Sequence, residues 1–197
     1  MKIGIVGCAG RMGRMLIKAV DETSGAELAG GSEMPGSEFV RQDPAVLSGL
    51  PASGLSIVDN AADLFAGSDA VVDFTAPAAT VAHARLAAET NTALIPGTTG
   101  LDASQQSEIE QAAGSVAIVQ AANYAVGVNV LQVLTEQAAR MMGDDFDIEV
   151  LEMHHRHKVD APSGTALALG QSAALGRGVD LDTVSQRVRD GFTGERT

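Results

Sequence analysis

The sequence is poor in cysteine, in aromatic residues and in basic residues, and each shortage argues against a class of protein. One cysteine, Cys8, stands among 197 residues, which excludes an internal disulfide framework and a multi-cysteine zinc site. With no Trp, one Tyr and five Phe, there are too few rings for a platform that stacks single-stranded nucleic acid. The 13 Lys and Arg residues against 25 Asp and Glu leave a net charge of −12, which disfavours binding to nucleic acid or to an anionic membrane.

Long apolar runs are also missing. No stretch reaches the roughly 18 apolar residues that a bilayer-spanning helix needs. Met1-Lys2-Ile3 leads straight into an apolar strand, which leaves no room for a signal peptide, so we expect a cytoplasmic protein. Glycine, in contrast, is abundant: 22 residues without a collagen-like period predict tight turns and close approaches of the backbone to a ligand.

Short apolar runs alternate with helical patterns over residues 1 to about 122, and this alternation predicts an α/β fold. Strands are predicted at 2–7, 27–32, 57–58, 70–75, 93–96 and 116–120, and helices at 10–22, 61–65, 77–89 and 102–113. An irregular crossover is expected at 34–54 because Gly, Pro and Ser are frequent there. The β-α-β order predicts a Rossmann-like, doubly wound parallel sheet with helices on both faces.

The pattern changes near Ala125, where we place the boundary between a dinucleotide-binding domain (1–125) and a smaller α+β substrate domain (126–197). The second domain is predicted to contain a long helix over 126–142, a strand near 148–153 and a helix from 163 to about 175, followed by a polar tail without a helix. The buried stripe of the long helix is predicted to consist of Val130, Leu134, Ala138 and Met141.

The first strand–helix junction reads GCAGRMGR, and its glycines indicate a dinucleotide site. Gly7 permits the tight turn, Gly10 lets a pyrophosphate approach the backbone, and Gly13 lets the helix pack closely on the sheet. Because the spacing is G-x-x-G-x-x-G rather than G-x-G-x-x-G, a turn without a ligand is the alternative. Glu33, twenty residues after Gly13, stands where an acid would bind the ribose hydroxyls, and the neighbouring Met34 replaces the arginine expected for a 2′-phosphate.

Two further loops follow predicted strands. Gly97-Thr98-Thr99-Gly100 lies at the edge where open α/β sheets bind ligands, so its small hydroxyl residues are candidates to contact a nicotinamide or a ribose. An ordinary turn capped by Thr is the alternative. Ala121-Ala122-Asn123-Tyr124 marks the domain junction, which is either a ligand site or a simple linker.

A cationic segment, HHRHK at 154–158, holds three of the four histidines and one of the three lysines. Such a density is costly in mutual repulsion unless an anion binds. Ser163 then caps a helix whose first N–H groups favour a carboxylate or a phosphate. Together these features predict a site for a small carboxylate-bearing substrate, with His and Lys for proton transfer. The alternatives are a metal site, disfavoured because neighbouring strand residues face opposite ways, and a solvated basic loop.

Three segments together resemble one family: GCAGRMGR at 7–14, GTTG at 97–100 and HHRHKVDAPSGTA at 154–166, with support from DFTAP at 73–77, AANYAVGVN at 121–129 and GERT at 194–197. They are similar to the signature segments of 4-hydroxy-tetrahydrodipicolinate reductase, the dihydrodipicolinate reductase of lysine and diaminopimelate synthesis. The resemblance implies that NADH or NADPH reduces a cyclic imine dicarboxylate. Family members continue past GERT, so it also implies a second domain that is incomplete at its C-terminal end, and a homotetramer for the full-length protein.

The resemblance also assigns residues. His154 is implied as proton donor or acceptor and Lys158 as proton donor, while His155, Gly164 and Thr165 would hold substrate carboxylates. The residues implied to bind the cofactor are Gly7, Cys8, Ala9, Gly10, Arg11, Met12, Glu33, Gly97, Thr98, Thr99, Ala121, Ala122, Asn123 and Tyr124. No metal ion is expected.

Two other functions are weighed against this one. The first is a dinucleotide-binding module without catalysis, which would bind the cofactor but consume none of it. The second is a semialdehyde dehydrogenase, which is disfavoured because that type needs a catalytic cysteine and Cys8 lies in the predicted phosphate loop. Since Met34 stands where some family members have Arg, we expect NADH to be used at least as well as NADPH.

Overall fold

The computed structural model of the chain describes residues 1–156, 158, 160–187 and 191–192, with only the backbone of Asp160 and Phe192. GERT at 194–197 and His157 therefore lie outside the described residues. The chain separates into two compact units, Met1–Ala121 and Ala122–Thr197. Within the described residues, no helix is long and apolar enough to cross a membrane.

Four parallel strands form the centre of the first unit. They are β1 (Lys2–Val6), β2 (Glu27–Ser32), β3 (Ala70–Asp73) and β4 (Ala93–Pro96), in the order β2-β1-β3-β4. β1 lies inside the sheet, where Ile5 pairs with Gly31 on one side and with Val72 on the other. The predicted Rossmann-like parallel sheet is thus confirmed. The strands predicted at 57–58 and 116–120 are reduced to single bridges, Ser32 to Val58 and Leu94 to Ile118.

Helices connect these strands, and their ends follow the local chemistry. They are α1 (Arg11–Glu22), α2 (Pro44–Leu47), α3 (Ala61–Ala66), α4 (Pro77–Thr90) and α5 (Ala103–Ala113). α4 begins with Pro77 and ends at Asn91, which adopts a left-handed conformation. Asp102 and Gln105 form a capping box at the start of α5. α2 corrects the expectation of a wholly irregular crossover at 34–54: the Asp43 side chain caps this short helix.

Two apolar clusters hold the first unit together. One contains Phe65, Val71, Leu94 and Ile109 and unites α3, α4 and α5 with the sheet. The other contains Ile5, Cys8, Ile17 and Ile57 and includes α1. Because the sheet is covered on both faces, its strands are short and nearly continuous in apolar character. Polar binding and catalytic residues are therefore expected in the loops at the ends of the strands.

The second unit is built on two packed helices. Its elements are α6 (Val126–Met142), a 3-10 turn (Gly143–Asp145), β5 (Asp160–Ala161), α7 (Gly164–Arg177), α8 (Leu181–Val184) and β6 (Gly191–Phe192). β5 pairs with β6 in antiparallel fashion. α7 crosses α6 at Gly176, where a Cβ atom would lie 2.3 Å from the Glu136 carbonyl oxygen and 2.9 Å from the Ala139 Cβ. The two helices therefore approach each other through small residues.

This close approach overturns the predicted burial of the long helix. Val130, Leu134 and Met141 are 52%, 54% and 86% exposed, and Ala138 is exposed as well. Of the α6 residues, all of which the structure describes, only Ala139 is buried. The predicted stripe was wrong because α6 turns its small-residue side, rather than its most apolar side, toward α7.

Two further predictions for the second unit were wrong. Residues 148–153 form no strand, although they are mostly apolar, because no described strand lies alongside to complete a ladder of hydrogen bonds. The tail expected to lack a helix contains α8, which Asp180 caps by accepting a hydrogen bond from the Asp182 N–H.

Candidate functional site

The carboxyl ends of the four parallel strands bring the predicted cofactor residues of the first unit to one edge of the sheet. Gly7 follows β1, Glu33 follows β2, Phe74 follows β3 and Gly97 follows β4. Ligands of open α/β sheets bind at this edge. The strand order places the β1 and β3 loops next to each other, with the β2 and β4 loops on either side.

The glycine loop is closely packed against the first turn of α1. Gly7 has φ +64°, and its carbonyl oxygen accepts a hydrogen bond from the Gly10 N–H at 3.1 Å. A Cβ atom on Gly13 would lie 2.4 Å from the Gly7 carbonyl oxygen. Gly10 precedes α1 without a side-chain cap, while Arg11 and Met12 are exposed. The loop therefore presents helix N–H groups and small residues to the carboxyl edge, as a diphosphate requires.

The backbone N–H and the carbonyl oxygen of Ala9 each form a hydrogen bond with a side chain. Its N–H donates to Oε1 of Glu33 at 2.8 Å, and its carbonyl oxygen accepts from Nε of Arg14 at 2.8 Å. The Arg14 guanidinium in turn lies 5.5 Å from the ring centre of Phe39. Glu33 and the glycine loop, which the sequence places 24 residues apart, are thus joined directly.

Cys8 differs from its neighbours in the loop because its side chain points into the core. The thiol is buried, and its backbone N–H donates to the Ser32 carbonyl oxygen at 3.2 Å. Burial, reinforced by the negative charge of Glu33, raises the pKa of Cys8 to about 12. The thiol is therefore neutral and inert, and any contribution of Cys8 to a cofactor site is limited to its backbone.

Buried hydrogen bonds hold the loop after β4 in place. Thr98 is buried, and its Oγ1 accepts hydrogen bonds from the Thr75 N–H at 3.2 Å and from the Thr80 hydroxyl at 2.8 Å. Gly97 lies under the ring of Phe74, since a Cβ atom there would be 2.2 Å from that ring. Thr99, in contrast, is exposed and faces solvent at the carboxyl edge.

Asp73 and His83 form a buried hydrogen-bonded pair close to these loops, and sequence reasoning missed it. Asp73 is fully buried, and its Oδ2 lies 2.8 Å from Nδ1 of His83, whose ring stacks on Phe65. Its Oδ1 accepts from the N–H and the hydroxyl of Thr75 at 2.9 and 2.6 Å. Burial raises the pKa of a carboxyl, but the hydrogen bonds from His83 and Thr75 outweigh it, so the pKa of Asp73 is below its ordinary value. A signal existed: Asp73 interrupts an otherwise apolar strand.

In the second unit, a residue predicted for the cofactor contacts one predicted for the substrate. Nδ2 of Asn123 donates to the Thr165 hydroxyl at 3.3 Å, and its Oδ1 accepts from the Ala125 N–H at 2.8 Å. Nδ2 of Asn129 holds the Asn123 carbonyl oxygen at 3.1 Å. Ala122 and Tyr124 are exposed on either side, while Ala121 ends the first unit. Asn123 is therefore fixed at the N-terminus of α7.

That N-terminus has the form predicted from the sequence. Ser163 is buried, and its Oγ accepts from the Ala166 N–H at 3.1 Å. Gly164 and Thr165 are the first two residues of α7, and both are partly exposed. The first N–H groups of a helix have no partner inside it, so these two residues are placed to bind an anion.

The cationic segment contains an acidic partner that the sequence analysis did not assign. Nδ1 of His154 is paired with a carboxylate oxygen of Glu152. The Lys158 backbone N–H donates to the His155 carbonyl oxygen at 3.1 Å. His155 is exposed and Lys158 is partly buried. Among the residues that the structure describes, no group of three or more His, Cys, Asp or Glu is arranged to hold a metal ion.

Comparison with known proteins gives the family. The family model for the N-terminus of dihydrodipicolinate reductase matches residues 1–124, and the model for its C-terminus matches residues 127–196. The 4-hydroxy-tetrahydrodipicolinate reductase of Rhodopseudomonas palustris (strain HaA2) is 49% identical over 196 residues, which is all of this chain and 72% of that protein. The chain belongs to the dihydrodipicolinate reductase family.

Other relatives agree with this placement. The 4-hydroxy-tetrahydrodipicolinate reductase of Ruegeria sp. (strain TM1040) is 50% identical over 194 residues, which is 98% of this chain and 72% of that protein. Among solved structures, the dipicolinate-bound dihydrodipicolinate reductase from Paenisporosarcina sp. TG-14 superposes with a TM-score of 0.69 at 29% identity. That match covers 90% of this chain and 66% of the other chain.

The glycine loop of this member of the reductase family fits the nucleotide that a dinucleotide-binding fold implies. A side chain at Gly13 would collide with the loop backbone, so the loop can adopt its close turn only with glycine there. The Glu33 carboxylate lies against the loop, where it accepts a hydrogen bond from the Ala9 N–H. Arg11, exposed in the first turn of α1, adds a positive charge at the same edge.

Proposed function

We propose that this chain carries the reductase chemistry of its family: reduction of 4-hydroxy-tetrahydrodipicolinate to tetrahydrodipicolinate by NADH or NADPH, in lysine and diaminopimelate synthesis. The observation that carries the proposal is the match of both halves of the chain to the two halves of this reductase, over residues 1–124 and 127–196. The balance of the reaction requires one hydride and one proton, with loss of one water.

The first unit binds the nucleotide. The reduced nicotinamide supplies the hydride, and the chain's own residues position it. The turn from Gly7 to Met12 holds the diphosphate through backbone N–H groups and the helix N-terminus. Glu33 accepts hydrogen bonds from the ribose hydroxyls. Its Oε1 already accepts one from the Ala9 N–H, and this bond fixes the orientation of the carboxylate. We assign Gly97, Thr98 and Thr99 to the nicotinamide half, with Ala121 to Tyr124 as further contacts.

The second unit binds the substrate. A dicarboxylate is supported by the solved relative described as bound to dipicolinate, a ring that carries two carboxylates. The first N–H groups of α7, at Gly164 and Thr165, take one carboxylate, and His155 takes part in holding the same ring. The Thr165 hydroxyl is oriented by Asn123, so its position is set before a substrate arrives.

His154 and Lys158 supply the proton. The carboxylate of Glu152 accepts a hydrogen bond from Nδ1 of His154, which selects the tautomer with its proton on Nδ1 and leaves Nε2 for chemistry. Lys158, whose backbone N–H bonds the His155 carbonyl oxygen, provides an ammonium donor on its side chain. General acid catalysis by such groups contributes about 10²- to 10⁴-fold to a rate.

The preference between NADH and NADPH is inferred from the residues near the expected position of the 2′-phosphate. Met34, next to Glu33, is 73% exposed and offers no charge to a 2′-phosphate. Glu33 itself repels that phosphate, whereas the exposed Arg11 attracts it. We therefore propose that NADH is used at least as well as NADPH.

We further propose a cytoplasmic homotetramer for the full-length protein. The exposed apolar side chains of α6, among them Val130, Val133 and Leu134, support an assembly in which this helix is covered. A biosynthetic enzyme that uses a soluble nucleotide is placed in the cytoplasm. The molar mass in solution, measured by light scattering, tests the assembly.

The experiment for the activity is NADH consumption in the presence of enzymatically generated 4-hydroxy-tetrahydrodipicolinate, measured on this chain and on a longer one. We expect oxidation that depends on the substrate. Binding of NADH without any consumption by either chain would instead favour a dinucleotide-binding module without catalysis.

A further inference from the structure

Thr80 lies at the junction of the two loops that follow β3 and β4. It is fully buried in the first turn of α4, where its N–H donates to the Ala76 carbonyl oxygen at 2.9 Å. Its hydroxyl donates to Oγ1 of Thr98 at 2.8 Å. Because Thr80 has no accessible surface, it cannot touch a ligand at the carboxyl edge.

The Thr98 hydroxyl joins three elements at one atom. It accepts from Thr80 on α4 and from the Thr75 N–H in the loop after β3, and it belongs itself to the loop after β4. A hydroxyl oxygen accepts at two positions, so both acceptor positions of Thr98 are engaged. These two hydrogen bonds tie the loop after β4 to α4 and to the loop after β3.

Asp73 belongs to the same network of hydrogen bonds through Thr75. Its carboxylate holds Thr75 through two hydrogen bonds and is itself held by Nδ1 of His83 at 2.8 Å. Buried polar networks whose members are all satisfied rigidify the groups they connect. Packing adds to this, because the ring of Phe74 lies directly on Gly97, so the two loops are in close contact.

We propose that Thr80 is a positioning residue for the nicotinamide half of the cofactor: through the Thr98 hydroxyl it sets the Gly97–Thr99 loop in its binding conformation. This inference rests on the proposed function, which assigns that loop to the nicotinamide. The adenosine half uses different residues, namely the glycine loop and Glu33, which Thr80 does not contact. Loss of the Thr80 hydroxyl should therefore affect one half of the nucleotide and spare the other.

The test compares two ligands on one set of variants by isothermal titration calorimetry of the full chain. NADH reports on both halves of the site, and ADP reports on the adenosine half alone. Thr80→Val removes the hydroxyl at nearly constant volume, whereas Thr80→Ser keeps it. The matched control is Thr92→Val, since Thr92 is equally buried and its hydroxyl donates to the Phe65 carbonyl oxygen at 2.9 Å, but it lies at the amino end of β4.

We expect Thr80→Val to weaken NADH binding by about three- to tenfold, the effect of one lost hydrogen bond, and to leave ADP binding unchanged. Thr80→Ser and Thr92→Val should bind both ligands as the unmodified chain does. ADP is also the internal reference for the folded fraction, and Thr80→Ala gives the same comparison should the valine variant fold poorly.

Four results would overturn the inference. Equal weakening of NADH and ADP by Thr80→Val would make Thr80 merely structural, as would an equal effect of Thr92→Val on NADH. Unchanged NADH binding in Thr80→Val would remove any role in positioning. If the unmodified chain bound ADP but gained nothing from the nicotinamide half, the proposed assignment of the Gly97–Thr99 loop would itself be wrong, and the inference would fall with it.

Discussion

The N–H of Ala9 donates a hydrogen bond to the carboxylate of Glu33 at 2.8 Å. This single contact joins the glycine loop after β1 to the acid after β2, two features that the sequence could relate only by their spacing. It also restrains the Glu33 carboxylate before any nucleotide binds. A preorganised acid loses less conformational entropy when the ribose hydroxyls arrive.

We expect Glu33→Ala to weaken NADH binding by about tenfold or more, because the ribose loses a charged acceptor and the Ala9 N–H loses its partner. Calorimetry measures this directly. The control is Glu38→Ala, an exposed acid in the following loop, which should bind NADH normally. An unchanged Kd in Glu33→Ala would remove this residue from the ribose site.

Gly13→Ala should destabilise the first unit by about 1–3 kcal/mol, since its Cβ would lie 2.4 Å from the Gly7 carbonyl oxygen and backbone would have to move. Chemical denaturation gives the free energy of unfolding. Gly127→Ala is the matched control: this glycine also lies in a helix, nothing stands within 4 Å of its Cβ position, and alanine there should stabilise by up to about 1 kcal/mol. Equal effects of the two substitutions would contradict the close packing of the loop.

Asp73→Asn should destabilise the protein by about 1.5–3 kcal/mol at neutral pH, because the buried carboxylate loses hydrogen bonds that Thr75 and His83 make with it. The pKa of Asp73 is lowered in the folded state, so its contribution to stability is complete above the unfolded value, near pH 4, and is lost as the pH falls further. The difference in unfolding free energy between the two proteins should therefore be constant near pH 7 and shrink below about pH 4. A difference that grew in acid would have the wrong sign; Asp59→Asn, exposed, serves as control.

His154→Ala and Lys158→Ala should each lower kcat by about 10²- to 10⁴-fold while NADH affinity stays near that of the unmodified chain. Steady-state kinetics and NADH titration separate the two effects. Arg156→Ala changes an exposed cation of the same segment and controls for the general loss of positive charge. Full turnover by either the histidine or the lysine variant would show that the proton comes from elsewhere.

The sequence predicted best those elements whose bounds are set by residues within the element itself. β4 at Ala93–Pro96 and α6 at Val126–Met142 have their predicted bounds, because an apolar run or a helical pattern ends there at Gly or Pro or at a change of period. The strand at 148–153 and the buried stripe of α6 were wrong, since both depend on what packs beside them. An apolar segment alone cannot supply a neighbouring strand.

The candidate site was predictable to the same degree. Glycine spacing and the acid after β2 indicated the loop–Glu33 pair, and residue types indicated the N-terminus of α7 with Ser163 as its cap. The Asp73–His83 pair and the Glu152 partner of His154 could not be deduced, because each needs the orientation of two side chains. The roles of His154, Lys158 and the cofactor residues remain predictions for the experiments above.

The most direct test of the account is transfer of label to the product from NADH that carries deuterium at both positions of the nicotinamide C4, followed by mass spectrometry. The account predicts tetrahydrodipicolinate that carries one deuterium, formed only when 4-hydroxy-tetrahydrodipicolinate is present and strongly slowed in His154→Ala. Product without deuterium, or NADH oxidation that proceeds equally without the substrate, would contradict it.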